Sequence, residues 1–112
     1  MAIAPLFNVP LSQSDLDVFS FHNADMHRRI VEAIGATRNI SLQLFPLDPI
    51  PLWGLAEWAV IHQSMHADFT TVLGFPGNDF SSLDLENAAA LEAWIFLHAQ
   101  EHRQAADLLR LS

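Results

Sequence analysis

Two segments of this chain carry the same five side chains at the same spacing. The first reads Leu55, Trp58, His62, His66, Leu73, and the second reads Leu91, Trp94, His98, His102, Leu109. Every member is displaced by 36 residues. Apolar and aromatic positions recurring every three or four residues define one face of an α-helix and are incompatible with the two-residue period of a strand. The repeat therefore demands two helices with one packing problem between them. At about 100° per residue, His62 falls at the centre of an apolar arc with Trp58, Phe69, Leu55 and Leu73. His98 falls likewise among Trp94, Leu91, Ala105 and Leu109. His66 and His102 stand about 40° round, still beside the stripe. The histidines are expected to point inward. A weaker apolar face opposite carries Val60, Ala56 and Phe96, and needs a cover from elsewhere.

The flanking punctuation completes an all-α reading, a small three-helix domain spanning 1–112. Helix one is expected over 14–35, where Leu16, Phe19, Asn23, Met26, Ile30 and Ile34 keep helical spacing with one polar slot. Ser12 or Ser14 serves as its cap and Gly35 as its stop. Helix two is expected over 52–73, ended by Gly74, Pro76 and Gly77, and helix three over 84–109, capped by Ser81, Ser82 or Asp84. A short loop near Asn78 makes helices two and three an antiparallel pair. Pro5 and Pro10 make 1–13 an extended arm, whose Leu6 and Phe7 want a surface. Residues 40–45 alternate apolar and polar, an extended connector or an edge that pairs between chains.

Composition argues for partners and against several function classes. In 112 residues, 51% are hydrophobic, 16% are charged, and there are 8 Phe and 3 Trp. A domain of this size hides only about 65% of its unfolded surface, so that apolar load favours burial against other protein subunits, including copies of itself. A net charge of −8, with all basic residues Arg, opposes nucleic-acid binding and anionic membranes. Without cysteine there is no thiolate chemistry or disulfide. The first residues lack a basic, long apolar leader, so secretion is not expected.

Buried imidazoles need partners, and three readings compete for them. A structural one leads: neutral His62, His66, His98 and His102 satisfied by carbonyls, indoles, Asn23 or water, beside Trp58 and Trp94. A divalent transition metal is the second, since His at i and i+4 share a helix face. A protonation switch is the third. In an antiparallel pair, His62 and His98 lie nearly level, but His66 and His102 lie at opposite ends, over ~15 Å apart by helical rise. Four histidines then cannot converge. A metal site would need His62, His98 and a third ligand from helix one, either His22 or His27. No Ser-His-Asp set, phosphate loop or paired catalytic carboxylate is evident, so no catalytic residue and no cofactor are assigned, and the chain is not read as an enzyme.

Three resemblances add to this. His98 and His102 are similar to the terminal His-x3-His of DinB-like helical domains, and the doubled His-x3-His is similar in part to hemerythrin-like domains. The stretches Trp58-x3-His62-x3-His66, Gly77-Asn78-Asp79-Phe80-Ser81-Ser82-Leu83-Asp84 and Trp94-Ile95-x2-His98-x2-Glu101-His102 resemble small tailed-bacteriophage virion proteins. That likeness implies a non-enzymatic structural or adaptor subunit of a particle, at a capsid, neck, tail or baseplate position. Its contacts would run through Leu6, Phe7 and Phe96. A cytoplasmic, metal-binding helical domain is the alternative.

Overall fold

The computed structural model describes residues 12–50 and 54–111. They form α1 (Gln13–Arg38), α2 (Leu55–Leu73) and α3 (Ala88–Leu109), with no strand among the described residues. The all-α, three-helix expectation is met. Residues 1–11 of the expected 1–13 arm, Leu6 and Phe7 among them, lie outside the described residues, as do residues 51–53, and Gln13, placed in the arm from sequence, is instead the first residue of α1.

Helix ends follow local chemistry. Ser12 and Asp15 form a reciprocal capping box at the start of α1. Gly35 does not stop α1. The helix continues to Arg38, and Asn39 takes the left-handed conformation (φ 54°) that ends it. A glycine inside a helix costs only about 1 kcal/mol, and the fully buried Ile34 beside it stabilises that turn by more. Gly74 (φ 77°) closes α2 as expected. At α3 the cap is Asn87, whose Oδ1 accepts the Ala90 N–H. Asp84 instead accepts the Glu86 N–H in its own turn, which delays the helix to Ala88. Residues 40–45 pair with no strand. Ile40 and Leu44 stay 40% and 44% exposed, on an irregular return segment.

The direction of the helix pair corrects the sequence expectation. Nε2 of His62 meets Nε2 of His98 at 3.0 Å, and Nε2 of His66 meets Nε2 of His102 at 3.2 Å. The ring of Phe19 contacts both Trp94 and His98, and Nε2 of His27 contacts that of His102. Residue numbers thus rise together in all three helices, and α2 and α3 are not antiparallel. The connections make this possible by running back along the bundle. After α1 the chain returns until the Ile50 carbonyl accepts a hydrogen bond from the side chain of Gln13 at the start of α1. After α2, Gly77 lies against Thr70, and Gln63 then holds the Asn78 carbonyl and the Phe80 N–H. Roughly 14 residues between α2 and α3 can reach ~45 Å when extended, more than the ~28 Å length of α2. The 74–87 connection is a crossover, not a hairpin turn.

These returns also seal the core. The Trp58 indole N–H donates to the Leu47 carbonyl at 2.9 Å, and that of Trp94 reaches toward the Phe80 carbonyl at 3.5 Å. The Ser20 hydroxyl donates to Asp48 at 2.6 Å. Leu47, Ile50, Phe80 and Leu85 from the returns join Leu16, Ile30, Ile34, Met65 and Phe69 in one buried cluster. Each such side chain contributes about 1.5–3 kcal/mol through removal from water. The result is a bundle with an apolar shell and an imidazole centre.

Candidate metal centre

Five histidines meet at the middle of the bundle. His27 comes from α1, His62 and His66 from α2, and His98 and His102 from α3. Four are buried and His102 is half-buried, and one ligating nitrogen from each lies within 4.8 Å of all the others. Helical spacing makes this possible, because His62 and His66, like His98 and His102, are one turn apart on the inward face. Side-by-side alignment of α2 and α3 then doubles the pair, and His27 closes it from α1. Trp58 stacks on His62 (4.5 Å between ring centroids) and Trp94 on His98 (4.7 Å). Phe80 packs edge-on against His66 and His98.

Proton bookkeeping shows what the cluster lacks. Nε2 of His27, His66 and His102 form a triangle with sides of 3.1, 3.1 and 3.2 Å. A neutral imidazole nitrogen carries either one proton or one lone pair, aimed in the ring plane. Three such nitrogens can make one well-aligned hydrogen bond among themselves; of the other two contacts, at least one pairs two protons or two lone pairs, and the remaining one is badly aligned. Protons alone therefore cannot satisfy the triangle. Nδ1 of His27 and Nδ1 of His62 are buried without a partner among the described residues, each costing about 1–3 kcal/mol.

A carboxylate settles one tautomer. Glu101 is buried beside His66, with Oε1 3.1 Å from Nδ1, so His66 donates from Nδ1 and presents a bare Nε2 to the cluster. The other oxygen of Glu101 accepts from both the backbone N–H (2.7 Å) and the side-chain amide (3.0 Å) of Asn78. Burial raises the Glu101 pKa, but the hydrogen bonds from His66 and Asn78 outweigh it and keep the carboxyl ionised. Burial, aided by repulsion between neighbouring imidazoles, holds His27, His62 and His98 well below the ordinary histidine range. His102 falls to about 3, chiefly through burial and secondarily through His66. Burial also lowers His66, with Glu101 pulling in the opposite direction. All five are neutral near pH 7, the state that binds metal.

The spacing suits a cation. Ligand nitrogens around 3.1 Å apart at right angles lie ~2.2 Å from a common centre, close to the 2.0–2.1 Å of metal–imidazole bonds. A tetrahedral set at that bond length would sit ~3.3 Å apart. The triangle resembles one face of an octahedron, and the His62–His98 pair, 3.0 Å apart, lies beside it, all five nitrogens falling within 4.8 Å of one another. Imidazole is a good ligand for iron, nickel, copper and zinc. Glu101 behind His66 is the carboxylate–histidine support that orients metal ligands.

Of the sequence candidates, His62, His66, His98 and His102 turn inward, as do Trp58 and Trp94. The expected separation of His66 from His102 is overturned, because it rested on the antiparallel register. Between the two proposed third ligands, His27 joins the cluster, and His22, exposed at the wall of the cleft between α1 and α3, does not. Phe96 is 66% exposed, on the weaker apolar face of α3. Sequence reasoning missed the role of Glu101 and that of Asn78. The constant 36-residue offset of both histidines was the available signal, because equal offsets pair side by side only between helices of the same sense.

Comparison with known proteins finds no matching family model, no matching curated protein and no matching solved structure.

Proposed function

We propose that this chain is a metal-binding helical domain that holds one divalent transition-metal ion through His27, His62, His66, His98 and His102. The observation that carries this reading is the triangle of Nε2 atoms from three helices, which protons cannot satisfy and one cation can. Five neutral imidazoles converging from α1, α2 and α3 also link every helix to one point. A domain of this size gains much from such a link. Elemental analysis of natively purified protein tests it, with about one iron, nickel, manganese, copper or zinc ion per chain expected. Protein that carries only trace metal, refuses each ion on titration and melts identically with and without chelator would defeat the reading.

A second reading concerns where the domain works. Val18, Phe21, Val60 and Phe96 are each at least 60% exposed, an apolar outlay that a partner subunit would cover. With the resemblance to tailed-bacteriophage virion proteins, this supports a subunit of a larger assembly, a virion component whose metal centre staples the fold. Sedimentation velocity tests it, with self-association at micromolar concentration or co-purification in particles as the supporting results.

A further inference from the structure

We infer that the five-histidine centre keeps a sixth position open to a small anion, which enters by the cleft between α1 and α3 and is hydrogen-bonded by Asn23. This rests on the metal-binding reading above.

The cleft holds about 390 Å³ and is lined by Phe19, Asn23, Met26, His98, His102 and Arg103, among others. The cluster reaches this cleft: His102, its one half-buried member, forms part of the wall together with His98. Asn23 lies one turn before His27 on the buried face of α1 and is only 4% exposed. Neither its Oδ1 nor its Nδ2 has a hydrogen-bond partner among the described residues. A buried amide with both ends unsatisfied costs several times the net worth of one hydrogen bond, so its presence on the cleft wall implies a ligand that uses it.

Charge identifies the class of that ligand. Five neutral imidazoles leave the full double positive charge on the ion. Among the described residues, the one carboxylate buried at the centre is Glu101, and it stands one imidazole away, behind His66. The centre thus keeps a net positive charge in a weakly polar interior, where an uncompensated ion is strongly disfavoured. A small anion bound to the ion from the cleft side compensates it. The Asn23 amide N–H can donate to that anion, and the guanidinium of Arg103 at the cleft wall favours its approach. Azide, cyanide and anions derived from dioxygen share this chemistry. A closed structural centre would have neither the cleft nor the idle amide.

Azide is the probe. Wild-type protein loaded with Co(II) or Ni(II) is titrated with azide while its visible absorption is recorded. Saturable spectral change at a ratio of one azide per metal is expected. Asn23→Leu, which preserves size and removes the donor, should weaken azide about tenfold or more while metal content stays at the wild-type level. Ala106→Trp, which fills the cleft, should slow azide entry. A loaded wild-type protein whose spectrum ignores azide at 100-fold excess overturns this inference and leaves the metal centre standing. Protein that takes up no metal overturns both. Because the decisive measurement is on the wild type, a variant that fails to fold does not rescue the idea.

Discussion

His66 and Glu101 face each other across the α2–α3 interface, Nδ1 to Oε1 at 3.1 Å, with both side chains buried. This contact fixes which His66 nitrogen is bare, and so determines what the centre of the bundle can bind.

Glu101→Gln keeps the shape and removes the charge that selects the His66 tautomer. Metal affinity should fall roughly 10- to 100-fold, the usual effect of losing a carboxylate behind a ligating histidine. A chelator-competition titration measures it. Affinity within twofold of wild type would show that Glu101 does not orient the ligand.

His27→Ala and His22→Ala separate the two helix-one candidates. His27 supplies two sides of the nitrogen triangle, so its loss should abolish stoichiometric metal binding. His22 lies outside the cluster, and its variant should load normally. Elemental analysis of both proteins decides, and the reverse pattern would refute the assignment.

Metal should raise thermal stability. A ligand present at 1,000 times its dissociation constant adds about 4 kcal/mol, which for a domain near 100 residues raises the melting temperature on the order of 15–30 °C. Calorimetry with and without chelator reads this directly, and coincident melting curves would count against the centre.

Acid should destabilise the metal-free fold in a defined direction. The unfolded chain binds protons on its histidines around pH 6.5, whereas the folded cluster resists them, His102 down to about 3. Stability contributed by these groups is complete above pH 6.5 and is lost progressively as pH falls from 6.5 toward 3. Chelator-treated protein should therefore melt at a constant temperature from pH 7 to 8 and at falling temperatures below 6.5. A flat profile down to pH 4.5 would contradict burial of the neutral imidazoles.

Phe96→Ser probes the outer face. Phe96 is 66% exposed, so the folded monomer should change by less than about 0.5 kcal/mol. Loss of self-association in sedimentation velocity, with the melting temperature held, is the expected result if this face covers a partner. Unchanged sedimentation would remove Phe96 from the assembly surface.

The sequence by itself determined the helices and their faces. The three- and four-residue spacing of Leu, Trp and His allows one regular structure, and that structure puts His62, His66, His98 and His102 on its inward side. Ser12, Gly74 and the prolines marked ends through chemistry local to a few residues. Tertiary structure decided which way the helices run, because an irregular connection of this length can either turn back or cross over, and no local propensity chooses between them. The choice is made by packing: Phe80 seated between His66, His98 and Trp94, Gln63 gripping the return segment, and Asn78 bound to Glu101. Once α2 and α3 point the same way, their two His pairs meet at one level, and His27 follows from α1. A helix face is a property of neighbours along the chain, while a five-nitrogen centre is a property of contacts between residues 36 to 75 positions apart.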